Sequence, residues 1–147
     1  MKTRVLFVCL GNICRSSMAE GVLRHYADPD EVEVDSAGTS DWHIGKPPDP
    51  RAIAEAARHG VDLRAQRARQ FTTSDFDQFE LILAMDKKNV RKIEALRPEI
   101  NQTPVRLFME YAGPDQPKEV PDPWCEDNFD VVYGMIEEAT TGLLRTL

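Results

Sequence analysis

Two short runs that are apolar at every position, Val5-Leu6-Phe7-Val8 and Leu81-Ile82-Leu83-Ala84-Met85, constrain this chain more than any other feature. A strand with one wet face alternates apolar and polar residues. One that is apolar throughout is covered on both faces, the pattern of a parallel sheet enclosed by helices. Val32 and Val34, alternating with charges, suggest another strand ending near Ser36-Ala37-Gly38, and Val105-Arg106-Leu107-Phe108 a weaker fourth. Helical patterns fall between them. Ser17-Met18-Ala19-Glu20 reads as a capping box opening a helix through about Tyr26. Asp49-Pro50 is a good cap and first residue for a helix over 50–59 that Gly60 stops. Asp86 can cap a helix through about Leu96. From Asp127, the residues Val131, Val132, Met135, Ile136, Ala139, Leu143 and Leu144 recur at helical spacing. Strands alternating with helices through short loops predict an α/β fold with a mostly parallel sheet. Right-handed crossovers then put helices on both faces.

The 147 residues suit one compact domain, at roughly 100–200 residues per domain. The net charge of −7 counts against a general binder of nucleic acid or of membrane surfaces, since both need a basic face. The three cysteines, Cys9, Cys14 and Cys125, are an odd number and no disulfide scaffold. A reducing compartment is the expectation, with the cytoplasm as the default. The start imitates a signal peptide, but its apolar run ends at Gly11-Asn12, too short for the apolar region of one. No stretch approaches the roughly 20 apolar residues that span a bilayer.

In an open parallel sheet the ligand site lies beyond the carboxyl ends of the strands, where the strand order switches. That rule selects the loop Cys9-Leu10-Gly11-Asn12-Ile13-Cys14-Arg15-Ser16. It runs from a strand end into a helix N-terminus, where free amides and the helix dipole attract anions. Gly11 permits a positive φ and Asn12 tolerates one, so the loop can curl its amides into a nest for a tetrahedral oxyanion. Arg15 adds a planar fork matched to two phosphate oxygens. Such surroundings lower a thiol's pKa from ~8.5 toward ~3.5–7.5 and make Cys9 a standing nucleophile, to which Ser16 could donate a hydrogen bond. Attack on phosphorus through a thiophosphate intermediate follows, with amides and Arg15 holding the equatorial oxygens. The scheme calls for no metal, and His25, His43 and His59 have no ligand-like spacing with the cysteines. Taken alone, Cys9 is most often a small buried hydrophobe, and a glycine loop also suits proteins that only bind nucleotides. This one lacks the patterns those proteins use. The combination of cysteine, five residues, arginine and serine in this slot favours chemistry over packing.

The run from Val5 to Ser16 closely resembles the signature of the low-molecular-weight protein tyrosine phosphatases. Asp35-Ser36-Ala37-Gly38-Thr39, Ser40-Asp41-Trp42, Pro48-Asp49-Pro50-Arg51, Ala68-Arg69-Gln70, Met85-Asp86 and Asp122-Pro123-Trp124 resemble further segments of that family, in family order. The resemblance implies one phosphatase domain over 1–147. It implies a three-layer α/β fold of flavodoxin- or Rossmann-like topology, a four-stranded parallel sheet with helices on both faces. It also implies hydrolysis of aryl phosphates, notably phosphotyrosine in proteins, without a cofactor. Inorganic phosphate, sulfate or vanadate would be the anions of the cradle formed by Leu10, Gly11, Asn12, Ile13, Cys14 and Ser16.

A phenolate leaves poorly unless protonated, so a general acid is needed. Asp28-Pro29, Asp49-Pro50 and Asp122-Pro123 compete. A surface turn and a helix start account for the first two. Trp124 beside Asp122, with no strong helical pattern directly after it, leans the choice to Asp122, and the resemblance implies it. Trp42 and Trp124 are candidate walls for a tyrosine ring, with Leu10 and Ile13 at the rim; the alternative is that each Trp is core. Asn12 and Ser36 resemble residues that hydrogen-bond the loop into shape. Cys14, five residues after Cys9, could pair with it under oxidation and guard it. The chain departs from the family pattern at Ser17, where many members have proline, at Gln66, where animal members have a histidine, and at Cys125, in place of an aromatic. Rival readings are a thiol-dependent arsenate reductase, a phosphoarginine phosphatase, a phosphotyrosine-binding module and a small redox protein. The first needs two further cysteines, the second a smaller polar residue at position 13, and the last a C-x2-C pair. Intact Cys9, Arg15 and Asp122 argue against the third.

Overall fold

The computed structural model describes residues 2–147. Its elements in chain order are β1 Thr3–Cys9, α1 Arg15–Tyr26, β2 Val32–Gly38, α2 Pro50–Arg58, α3 Asp75–Gln78, β3 Leu81–Ala84, α4 Lys87–Glu94, β4 Val105–Leu107, a 3-10 turn Phe108–Ala112 and α5 Phe129–Leu144. The strands form one sheet in the order β2-β1-β3-β4, and every pairing is parallel. The apolar runs of β1 and β3 fill its centre because both faces there are covered. Val5, Phe7, Cys9 and Leu83 pack with α1, α2 and α5. Leu6, Val8, Ile82 and Ala84 pack with Phe76 of α3 and Ile93 of α4. The alternation of odd and even residues along β1 follows from the pleat. The expected α/β fold, three layers around a four-stranded parallel sheet, is the observed one.

The pairing order places the switch point at the carboxyl end of β1. The chain leaves β1 for β2 on one side and returns to β3 on the other, so Cys9 ends a central strand opposite Gly38. Asp49 caps α2 by accepting the Arg51 amide, and Asp86 with Asn89 forms a complete capping box on α4. The capping box expected at Ser17 and Glu20 is absent. Helix α1 begins at Arg15 after Cys14, which offers no side-chain cap. The Ser17 hydroxyl instead donates to the Asn12 carbonyl at 3.0 Å, and Glu20 turns inward to Ser36. The first turn of α1 is thus left without a cap of its own, in the place where a bound anion would supply one. The short α3 carries too few residues for a periodic signal, and Phe108, expected to end the fourth strand, instead opens the 3-10 turn. Among the described residues no helix is long and apolar enough to cross a membrane.

Phe7 is fully buried and meets Phe108 edge-on, with ring centroids 4.9 Å apart. Phe7→Ala empties the middle of the sheet's more populated face. The expected cost is about 3–5 kcal/mol, read as a fall in the denaturation midpoint at constant m-value.

Candidate active site

The middle of the loop from Cys9 to Arg15 is held by side chains that converge on Asn12. This residue has φ 59°, in the left-handed region that asparagine tolerates better than most residues. Its Nδ2 donates to Ser16 Oγ at 2.8 Å and to Ser36 Oγ at 2.9 Å. Its Oδ1 accepts the Arg69 amide at 3.0 Å. A backbone N–H can only donate, so the Arg69 bond fixes which end of the Asn12 amide is oxygen. The Ser36 hydroxyl donates to Glu20 Oε1 at 2.5 Å, and Glu20 pairs with Arg24 at 2.6 Å. Burial pushes the Glu20 carboxyl above its ordinary value, against the pull of those two partners.

Ser16 accepts from Asn12, which leaves its single proton free for Cys9 Sγ, 3.0 Å away. The Asn12 amide donates to the same sulfur at 3.3 Å. Among the described residues, the amides of Gly11, Ile13, Cys14 and Arg15 meet no protein acceptor. They form, with the start of α1, the donor set that an oxyanion needs. Gly11 does not use a positive φ, contrary to expectation; Asn12 alone takes that conformation in the loop. A Cβ at position 11 would stand 2.9 Å from His43 Cδ2, so a side chain there would displace the His43 ring. A Cβ on Gly38 would stand 2.8 Å from the Leu10 carbonyl oxygen.

Arg15 is 3% exposed. Its Nη1 donates to Asp86 Oδ2 at 2.7 Å and to the Val120 carbonyl at 2.9 Å. Its Nη2 lies 3.8 Å from Asp122 Oδ2. Burial works against the guanidinium charge, but Cys9, Asp86 and Asp122 outweigh it and hold Arg15 protonated more firmly than usual. Asp122 accepts the Trp124 amide on Oδ1 at 3.0 Å and stays about half exposed. Cys14 is buried beside the loop; desolvation first, then the charges of Asp49, Cys9 and Asp122, push its thiol well above the usual range. It is a neutral thiol.

Cys9, Leu10, Gly11, Ile13, Cys14, Arg15, Trp42, His43, Asp122 and Trp124 line one cavity of about 240 Å³. Trp42 and Trp124 are 65% and 51% exposed, so they are walls and not core. Asn12, Ser16 and Ser36 stand behind the cavity as its bracing. Sequence reasoning missed Asp86 as the anchor of Arg15, Glu20 as the end of the bracing chain, the Arg69 amide, and His43 in the wall. Asp86 was legible as a helix cap and in a segment that resembles the family, but nothing in the sequence links position 15 to position 86. Of the departures from the family pattern, Gln66 donates to the Ser17 carbonyl at 3.1 Å and makes no hydrogen bond to Asn12, Ser16 or Ser36. Its Oε1 is buried without a partner. Cys125 is exposed.

A nearly buried thiol under hydrogen-bond donors lies at the floor of a cradle that ends in a buried arginine and faces an aspartate. The chain belongs to the low-molecular-weight phosphotyrosine protein phosphatase family, whose sequence model matches residues 4–147. It is 44% identical over 158 residues to a low-molecular-weight protein-tyrosine-phosphatase of Streptomyces coelicolor, with 100% of this chain and 94% of that protein covered. It is 40% identical over 151 residues to the low-molecular-weight phosphotyrosine protein phosphatase of Schizosaccharomyces pombe, with 98% and 96% covered. The crystal structure of YfkJ from Bacillus subtilis superposes with a TM-score of 0.93 at 35% identity, covering 99% of this chain and 94% of that one.

Asn12→Ala removes three side-chain hydrogen bonds and leaves alanine in a left-handed conformation. The expected loss is about 2–4 kcal/mol, measured by chemical denaturation. Inorganic phosphate should also inhibit the variant more weakly, because its loop no longer holds the cradle.

Proposed function

We propose that this protein hydrolyses phosphotyrosine in proteins, and aryl phosphate monoesters generally, through a phosphocysteine intermediate. The observation that carries the reading is that Cys9 Sγ, hydrogen-bonded by Asn12 and Ser16, shares one cavity with Arg15, Asp122 and two tryptophans. The substrate's ring lies between Trp42 and Trp124, and its phosphoryl oxygens take the loop amides and the free edge of Arg15. Cys9 attacks as the thiolate. The S–P bond forms, the P–O bond to the ring breaks, and its electron pair goes to the phenolic oxygen, which takes a proton from the Asp122 carboxyl. Water then attacks phosphorus and yields its proton to Asp122. The P–S bond breaks, its pair returns to sulfur, and inorganic phosphate leaves. Fixed amides and a buried guanidinium supply the electrostatic stabilisation that this step demands, so the residues suffice without a metal. Sulfate and vanadate occupy the cradle as phosphate does.

The reading assigns positions 1–147 to one phosphatase domain with a protein substrate and neither nucleic acid nor membrane as a partner, in keeping with the net charge of −7. A reducing compartment such as the cytoplasm keeps Cys9 competent. No observation favours arsenate reduction or phosphoarginine over phosphotyrosine.

Turnover of p-nitrophenyl phosphate and of a phosphotyrosine peptide, in the presence of a chelator, tests the reading. Cys9→Ser should abolish both activities. Asp122→Asn should slow the peptide about 10²–10⁴-fold. Undiminished turnover in Cys9→Ser would overturn the mechanism.

Cys14 is proposed as the redox partner of Cys9. Peroxide transfers oxygen to Cys9, giving a sulfenic acid and water; the Cys14 sulfur then displaces hydroxide, which leaves as water, and a disulfide remains. Peroxide followed by dithiothreitol should restore activity in the natural chain and fail to restore it in Cys14→Ser.

A further inference from the structure

Asp122 has no regular element to hold it. It lies between Pro121 and Pro123 in the segment that links the 3-10 turn to α5. One end of that segment is anchored where the Val120 amide donates to the Met85 carbonyl at 2.8 Å and the Val120 carbonyl accepts from Arg15. The other end begins at buried Phe129. Between the two, the Asp127 amide bonds the Pro123 carbonyl at 2.9 Å, with Asp127 at φ 54°. This closed turn still has to be set at a defined distance from the cradle.

Arg51 reaches across that gap. On one edge its Nε and Nη2 hold Asp49 Oδ1 and Oδ2, both at 3.1 Å. On the other, Nη1 donates to the Trp124 carbonyl at 3.2 Å and stands 3.5 Å from Asp127 Oδ1. The guanidinium also lies 5.4 Å from the Trp124 ring centre and 4.7 Å from that of Phe129. Asp49 is nearly buried and its own amide donates to the Ile13 carbonyl at 2.8 Å. A continuous tie therefore runs from the cradle loop, through Asp49 and Arg51, to the turn that follows Asp122. Burial would raise the Asp49 carboxyl, but its Arg51 partner holds it below the usual carboxylate range, so the fork stays charged on both sides. A guanidinium makes such a two-edged, stacked contact in a way an ammonium cannot.

We infer that Arg51 is a positioning residue for proton transfer: it fixes the 122–127 turn against the cradle so that Asp122 reaches the leaving oxygen. This rests on the assignment of Asp122 as the general acid. Arg51 does not line the cavity that holds Cys9, so its loss should cost proton delivery and spare phosphate binding.

The experiment compares kcat/KM for two substrates whose leaving groups differ in their need of a proton. Phenolate, of parent pKa about 10, requires one, whereas p-nitrophenolate leaves readily without it. In Arg51→Met, kcat/KM for phenyl phosphate should fall about tenfold or more relative to p-nitrophenyl phosphate, the scale of a small misplacement. Inhibition by inorganic phosphate should stay unchanged. Arg51→Lys should recover part of the loss. Asp127→Asn, which keeps a side chain suited to positive φ, should shift the ratio the same way by less. Asp122→Asn sets the limiting ratio, and adding Arg51→Met to it should change that ratio no further. Equal losses on both substrates with weakened phosphate inhibition would make Arg51 a prop of the cradle and overturn the inference. A flat ratio in Arg51→Met beside a shifted one in Asp122→Asn would overturn it alone. A flat ratio in Asp122→Asn would remove the acid assignment and this inference together.

Discussion

The bond network of the Asn12 side chain is the constraint from which the rest of the site follows. One carboxamide, in a backbone conformation that most side chains avoid, satisfies a serine of α1, a serine of β2 and an amide of the segment before α3. Both of its donor hydrogens and its oxygen are engaged, so the loop has little freedom to relax into another shape. The same bonds decide proton direction. Ser16 and Ser36 each receive a hydrogen from Asn12, which turns their own protons outward, toward the Cys9 sulfur and the Glu20 carboxylate. A packing arrangement thereby aims two hydrogen-bond donors, the Asn12 amide and the Ser16 hydroxyl, at the Cys9 sulfur.

Around this rigid loop, charges are arranged to oppose desolvation. Arg15 is buried, and a buried guanidinium without partners would be costly. Asp86 and the Val120 carbonyl occupy one of its amino groups, and Asp122 stands near the other. The cap of α4, a residue with an ordinary local duty, thus also keeps the arginine of the cavity in place. Asp49 repeats this economy at α2. It caps the helix, offers its amide to the cradle, and grips Arg51, which reaches the turn after Asp122. Cys14 sits near Asp49 and Asp122 and is held as the thiol chiefly by burial, while the Cys9 sulfur takes hydrogen bonds from Asn12 and Ser16.

Much of the fold was legible because its signals are local. Apolar runs at 5–8 and 81–85, the cap at Asp49 and the stop at Gly60 each act within a few residues, and each appears where the pattern put it. The reading failed at the start of α1, where Ser17 and Glu20 have the spacing of a capping box but answer to Asn12 and Ser36 instead. Tertiary partners outbid the local option there. Gly11 permits a positive φ but does not adopt one; Asn12 takes that conformation instead. The cradle residues and both tryptophans were legible from spacing and from resemblance, since the loop is contiguous and its neighbours are distinctive.

The amino-acid order alone determined the parallel sheet, the place of its switch point, and a cysteine and arginine bracketing a loop there, because period and spacing are properties of a continuous chain. Only the tertiary structure decided which distant groups complete that loop. Glu20 behind Ser36, the Arg69 amide on Asn12, Asp86 against Arg15, and Arg51 between Asp49 and the turn at Asp127 join segments tens of residues apart. Their pairing depends on where the crossovers bring each element to rest, and no local pattern encodes that.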